Sequence, residues 1–174
     1  APTDQALKDD IQLSLDAGFN SARLHQKVFE ARFHYWADKL GYLTWAEFAD
    51  WGGVHNFRSP EGLIIQSNEW REAIIRDRNH PSIVAWTPFN ETSGAAANDI
   101  EFYRYIIKNF YDLTHAIDPT RPVNTTSGYV NVYTDIFTVH DYTQDHVVFR
   151  DRYKTVDPLN PEKVWIVNPK LAIP

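Results

Sequence analysis

The sequence predicts an α/β fold and, within that class, an incomplete β/α barrel. Helix-like and strand-like segments alternate through most of the chain, which implies βα units on a parallel sheet. Polar residues follow strand after strand, at Arg23 and His25, at Glu47, at Asn90 and Glu91, and at His140 and Tyr142. A barrel collects side chains in this way on the face where its strands end. No Gly-rich phosphate loop follows a predicted strand, which argues against a dinucleotide-binding sheet. Five strands read firmly where a closed barrel needs eight.

Thr3 is placed to cap a helix from about Asp4 to Ala17, in which Leu7, Ile11 and Leu15 fall four apart and make an apolar stripe. Asp4 suits the positive helix start and Gly18 suits the stop. Phe19 to Leu24 reads as a strand, and a second helix spans about Ala31 to Leu40, ended by Gly41. Tyr42 to Ala46 is the next strand, followed by Glu47. Asp50 to Gly62 is loop-like, with Gly52, Gly53, Pro60 and Gly62, and Ser67 is expected to open a helix to about Asp77.

The most informative stretch runs from Asn79 to Glu91. Pro81 cannot donate to a ladder and belongs at a strand start. Ile83 to Trp86 is a continuous apolar run, as in a parallel strand covered on both faces. Asn90 and Glu91 then stand where that strand ends, which makes Glu91 a candidate acid/base group. Ser93, Gly94 and three alanines lead into a long helix, about Asp99 to Ile117, stopped by Asp118-Pro119-Thr120-Arg121-Pro122. Val123 to Thr126 and Asp135 to His140 read as two further short strands, Asp145 to Tyr153 as a short helix, and Val164 to Val167 as the start of another strand.

Composition narrows the function. Hydrophobic residues are 43% and charged residues 23%, ordinary for a globular protein. Net charge is −6, and the Arg71, Arg76 and Arg78 group is interrupted by Glu72 and Asp77, so it reads as a solvated helix face. A nucleic-acid partner is not expected without a clustered basic surface. No apolar run approaches the roughly 18 residues of a membrane span, and no signal peptide is visible. The chain has no cysteine, which excludes disulfides and thiolate metal sites. Aromatic residues reach 14%; such rings fill cores or line sugar-binding walls. No helix carries His-Glu-x-x-His, and neither a metal nor another cofactor is expected. The chain has no Met and begins at Ala1, so it reads as an internal piece of a longer protein, with residues 1–174 forming one incomplete barrel domain.

Several segments together resemble glycoside hydrolase family 2, the group of β-galactosidases, β-glucuronidases and β-mannosidases. They are Gly18 to Gln26, Tyr35 to Gly41, Arg76 to Ile83 and, above all, Trp86-Thr87-Pro88-Phe89-Asn90-Glu91. The resemblance implies a segment of that family's (β/α)8 catalytic barrel, roughly strands two to six with their helices, from a retaining exo-β-glycosidase. It implies that Glu91 protonates the departing glycosidic oxygen and then activates water, and that Asn90 bonds the sugar 2-hydroxyl. A general acid needs a raised pKa at neutral pH, and a setting beside Trp86 and Phe89 is expected to provide it. Arg23, His25, Glu47 and either His140 or Tyr142 complete the sugar subsite. The family's nucleophile is a Glu on strand seven in a Ser-Glu-(Phe/Tyr)-Gly-like motif, which is not found here. Neither Glu47 nor Asp141 matches its position, so the nucleophile is expected beyond Pro174 and the isolated chain is expected to be inactive.

Plainer readings stand beside these. Arg23 also reads as a structural ion-pair partner inside the barrel, Glu47 as a carboxylate in structural pairing, and His25 as a packed histidine. His34, His55, His115 and His146 read as surface or packing residues, and His80 as part of a turn. The whole segment also reads as a non-catalytic carbohydrate-binding or structural barrel piece, or as another barrel enzyme using Glu91 as a base on a carbonyl substrate. Open strand edges predict self-association or companion segments.

Overall fold

Capping residues set the helix boundaries. The structure, a computed structural model, describes residues 2–50, 59–92, 98–128 and 130–153. Helix α1 (Asp4–Asp16) starts at Thr3, whose hydroxyl accepts the N–H of Ala6 at 3.2 Å. Helix α2 (Ala31–Leu40) stops at Gly41, which takes the left-handed conformation with φ 70° that a side chain would crowd. Helix α3 (Pro60–Asp77) begins earlier than the expected Ser67. Ser59 accepts the N–H of Gly62 at 3.2 Å, and Pro60 takes the first helical turn, where its missing N–H has no partner to lose. Proline and glycine that read as a loop are therefore a helix start. Helix α4 (Ile100–Ile117) is capped by Asp99, which accepts from Phe102 at 3.0 Å, and α5 (His146–Tyr153) follows later.

The strands are β1 (Ser21–Arg23), β2 (Leu43–Glu47), β3 (Ile83–Thr87), β4 (Phe89–Asn90) and β5 (Thr126–Ser127). β1, β2 and β3 pair in that order, all parallel, and β4 pairs parallel with β5. Between β3 and β4 lies Pro88, which has no N–H for a ladder, so one predicted strand is divided in two. A parallel bridge between Trp86 and Val123 carries the pairing across the division. The result is a parallel, barrel-like arrangement whose strand ends all point one way.

The expected strand over Asp135 to His140 does not form. Side chains take two of its carbonyls instead: Asn124 Nδ2 donates to the Ile136 carbonyl at 2.8 Å and Asn131 Nδ2 to the Thr138 carbonyl at 3.1 Å. Amide side chains replace the neighbouring strand that a ladder requires. The segment still delivers His140 to the strand ends. His55, Gly52 and Gly53, the run from Ser93 to Ala97 and the Val164 to Val167 strand lie outside the described residues.

The main core sits between the sheet and α3 and α4, and includes Trp70, Ile74, Trp86, Phe89, Ile107 and Phe110. Each such side chain contributes roughly 1.5–3 kcal/mol by leaving water. A second cluster joins α1 and α2 through Leu7, Ile11, Phe33 and Ala37. His34 is buried, and burial lowers its pKa to about 4 against the charge of Asp77. His80 Nδ1 meets Asp38 Oδ2 at 2.6 Å, and Asp38 also accepts from Ser82 N, so the pair caps the turn before β3.

Trp86 is 1% exposed and belongs to this core, its ring edge-on to Trp70 at 5.8 Å. Its indole N–H donates to Asp118 Oδ2 at 2.9 Å, and Asp118 also accepts from Thr120 and Arg121. Burial opposes ionisation of Asp118, but the bonds from Thr120, Trp86 and Arg121 outweigh it and hold its pKa at about 2. A depressed carboxylate stabilises the fold above its unfolded pKa and loses that contribution as pH falls through the folded value. Asp118→Asn is therefore expected to cost on the order of 2 kcal/mol near neutral pH. The gap between variant and parent in urea unfolding should narrow as pH falls from 3.8 toward about 2. A gap independent of pH would show that charge is not what Asp118 contributes.

Candidate active site

The site is built from strand ends. β1 delivers Arg23, β2 delivers Glu47, β4 delivers Asn90 and Glu91, and β5 delivers Ser127. Because the strands run parallel, these residues meet on one face. There they border an open cleft of about 480 Å³, lined by Arg23, His25, Gln26, Asn90, Glu91, His140, Asp141 and Tyr142.

Glu47 lies beneath the cleft and is 2% exposed. A carboxylate removed from water in this way needs charged and hydrogen-bonding partners. Arg23 provides a two-point bond, Nε to Oε2 at 2.5 Å and Nη2 to Oε1 at 2.9 Å, and the N–H of Gln26 adds a third at 2.9 Å. Arg23 also reaches Asn90 Oδ1 at 2.5 Å and His140 Nε2 at 3.5 Å. His25 is half exposed, with Nδ1 3.4 Å from Glu47 Oε1.

Glu91 sits at the rim. Its backbone is left-handed, φ 51°, which is uncommon for a residue with a side chain. The N–H of Glu91 donates to the Ser127 carbonyl at 2.8 Å, and Gly128 packs so closely that a Cβ there would meet Glu91 Cα and Cγ at 3.4 Å. The Glu91 carboxylate bonds His140 Nδ1 and accepts from the Tyr142 hydroxyl at 3.1 Å. Ser127 Oγ lies 3.1 Å from His140 Nε2, where it and Arg23 both present donors. A neutral imidazole in that network carries its proton on Nδ1, facing Glu91.

The raised pKa expected for Glu91 is not found. Trp86 and Phe89 are turned into the core rather than the cleft. The hydrogen bond from His140 leads in lowering the Glu91 pKa; burial opposes it, and Tyr142 and the neighbouring histidine charges add to the lowering. His140 and Tyr142 both reach Glu91.

The structure thus brings together Arg23, His25, Asn90, Glu91, His140 and Tyr142 around one opening and places Glu47 behind it. Gln26, Asp50, Ser127 and Asp141 join the site without having been anticipated. Asp141 accepts from Thr143 N at 2.9 Å and Tyr153 at 2.7 Å and pairs with Arg152, which ties the His140 and Tyr142 loop to α5. Its sequence signal is its place between two site residues. Among the described residues, no group of three or more His, Asp or Glu side chains is gathered to hold a metal ion.

Removing Arg23 while leaving Glu47 buried is expected to cost about 3–5 kcal/mol, since an uncompensated buried charge remains. Arg23→Lys should recover part of this, because an ammonium keeps the charge and loses the two-point fit. Urea unfolding of the two variants checks the order; equal stability of parent and Arg23→Ala would refute it.

The comparisons with known proteins agree with this geometry. The family profile "Glycosyl hydrolases family 2, TIM barrel domain" matches residues 2–162. The chain is 33% identical to a β-galactosidase of Thermoanaerobacterium thermosulfurigenes over 116 residues, 63% of this chain and 14% of that protein. It is 30% identical to a β-glucuronidase of Bacteroides fragilis over 130 residues, 70% of this chain and 18% of that protein. The solved structure of a β-galacturonidase from Eisenbergiella tayi bound to galacturonate superposes with a TM-score of 0.63 at 29% identity, covering 74% of this chain and 22% of that one. The chain therefore spans less than a quarter of the length of these relatives. Parallel strands ending on one cleft, and a profile match along nearly the whole sequence, establish that the chain belongs to the TIM-barrel domain of glycoside hydrolase family 2.

Proposed function

We propose that residues 1–174 supply the acid/base side of the active site of a retaining exo-β-glycosidase, which removes terminal β-linked sugars. Glu91 protonates the departing oxygen and then takes a proton from the attacking water. Asn90 meets the sugar 2-hydroxyl, and His25 and Tyr142 reach other hydroxyls from the cleft wall. Arg23 and Glu47 hold this arrangement from behind, and His140 orients the Glu91 carboxylate. The nucleophile, a carboxylate about 5 Å from Glu91 in a retaining enzyme, comes from a segment outside this chain. The reading is carried by one observation: a carboxylate in a strained left-handed turn, at the carboxyl ends of parallel strands, facing an open cleft.

The lowered pKa of Glu91 fits the second half of the reaction, in which it acts as a base. For the first half the carboxyl must be protonated. A sugar that fills the cleft and excludes water, together with the negative nucleophile nearby, pushes in that direction. A barrel piece that binds sugars without chemistry is the second reading. It is favoured by the cleft lining, where Asp141 is the only other carboxylate among the described residues and is already bound to Arg152 and Tyr153.

Glu91→Gln in the complete enzyme separates the two. Turnover of aryl β-glycosides with poor leaving groups should fall by about 10²–10⁴-fold. A dinitrophenyl glycoside, whose leaving group needs no proton, should lose far less in the glycosylation step. An equal fold-loss with both substrates, or no loss with either, rules out proton donation by Glu91.

The exposed edge of β1 lacks a neighbouring strand among the described residues. Sedimentation of the isolated chain is expected to show association, and assays on it no glycoside turnover. A monodisperse monomer, or measurable hydrolysis, would contradict the two halves of this expectation respectively.

A further inference from the structure

A second carboxyl group lies behind the cleft, and the chemistry above does not use it. Asp50 stands just past β2 and is 3% exposed. Its Oδ2 accepts the backbone N–H of Asn90 at 3.1 Å. Its Oδ1 is buried with no hydrogen-bond partner among the described residues. Its own carbonyl accepts from Gln26 Nε2 at 3.2 Å, so the residue connects the loop after β1 to the end of β4. A buried carboxyl with one oxygen unmatched is costly, and its one side-chain bond goes to the Phe89–Asn90 peptide, one residue ahead of Glu91.

The two successive peptides that lead into Glu91 are each held. Asp50 fixes Asn90 N, and the Ser127 carbonyl fixes Glu91 N at 2.8 Å. Directly after these two bonds Glu91 adopts φ 51°. A left-handed non-glycine residue persists only where its surroundings over-determine it. Loss of the Asn90 bond leaves the strain free to relax, and relaxation swings the carboxylate away from His140 and out of the cleft.

We infer that Asp50 is a positioning residue for the acid/base carboxylate, fixing the Phe89–Asn90 peptide through the Asn90 N–H so that the chain enters the Glu91 turn in the geometry that presents Glu91 to the cleft. This rests on Glu91 being the acid/base group. Titration gives the pin a signature. Burial pushes the Asp50 carboxyl up to about 7, against the Asn90 bond, and the charge of Glu47 adds to the rise. The titratable groups that interact with it are Glu47 from β2, itself compensated by Arg23, and Tyr103 from α4. An ionised acceptor makes a stronger bond than a neutral one, so the pin tightens as pH rises through this range.

The test uses the complete enzyme with Asp50→Ala, Asp50→Asn and Glu91→Gln, aryl β-glycosides from pH 5 to 9, and backbone amide exchange. Asp50→Ala should lower kcat roughly 10- to 100-fold, the scale of a misplaced reacting group, with KM changed less than about twofold. Asp50→Asn keeps a carbonyl to accept from Asn90 N–H; it should recover most of kcat and lose the near-neutral titration from the pH profile. Exchange of the Asn90 amide should quicken in Asp50→Ala and stay slow in Asp50→Asn. If the alanine variant does not fold, the asparagine variant still decides through its pH profile. The proposal is overturned if Asp50→Ala keeps kcat within twofold, if its Asn90 amide stays protected, or if Asp50→Asn retains the parent titration. An unimpaired Glu91→Gln enzyme would instead remove the acid/base assignment, while amide exchange still reports on the pin.

Discussion

The site depends on the compensation of one buried carboxylate. Glu47 has left water almost completely, and Arg23 is what makes this tolerable. The guanidinium then does more than neutralise. Its Nε and Nη2 clasp Glu47, Nη2 also reaches Asn90, and Nη1 faces His140. A planar fork with five donors in fixed directions can hold several acceptors in one geometry, which an ammonium cannot. The ends of β1, β2 and β4 and the loop bearing His140 are therefore referenced to a single group.

On that frame stands a residue under strain. Glu91 in the left-handed region carries a cost on the order of 1–3 kcal/mol that its surroundings must offset. The Ser127 carbonyl, the bare surface of Gly128 and the Asn90 bond to Asp50 are the visible constraints. The same turn lifts the carboxylate out of the sheet and toward His140 and Tyr142. Backbone strain and side-chain presentation are one feature of the fold.

The electrostatics divide by depth. Deep groups with few partners are governed by lost hydration, as with Asp50 pushed up and His34 pushed down, whereas the equally deep Asp118 is held low by its several donors. At the rim, hydrogen bonds dominate and hold Glu91 below the usual carboxylate range. A substrate that displaces water from the rim would move Glu91 from the second regime toward the first. In the acid/base role proposed for it, a group at such a boundary can serve both protonation states in turn.

The sequence alone determined what is local or strongly patterned. Alternating helices and apolar runs gave the α/β class, helix spacing placed α1, α2 and α4, and the polar ends after strands named Arg23, Asn90, Glu91 and His140. Read without its cap, Pro60 looked like a breaker, although Ser59 before it makes a helix start. The Asp135 to His140 run looked like a strand because residue pattern cannot say whether a ladder partner exists; Asn124 and Asn131 had already taken its carbonyls. Only the tertiary structure decided that Trp86 faces the core, that Glu47 lies beneath the cleft and that Asp50 holds the Asn90 peptide. It also decided the ionisation of Glu91. Burial, strain and pKa are set by which distant segments close around a side chain, and three-dimensional packing is the only place where that information exists.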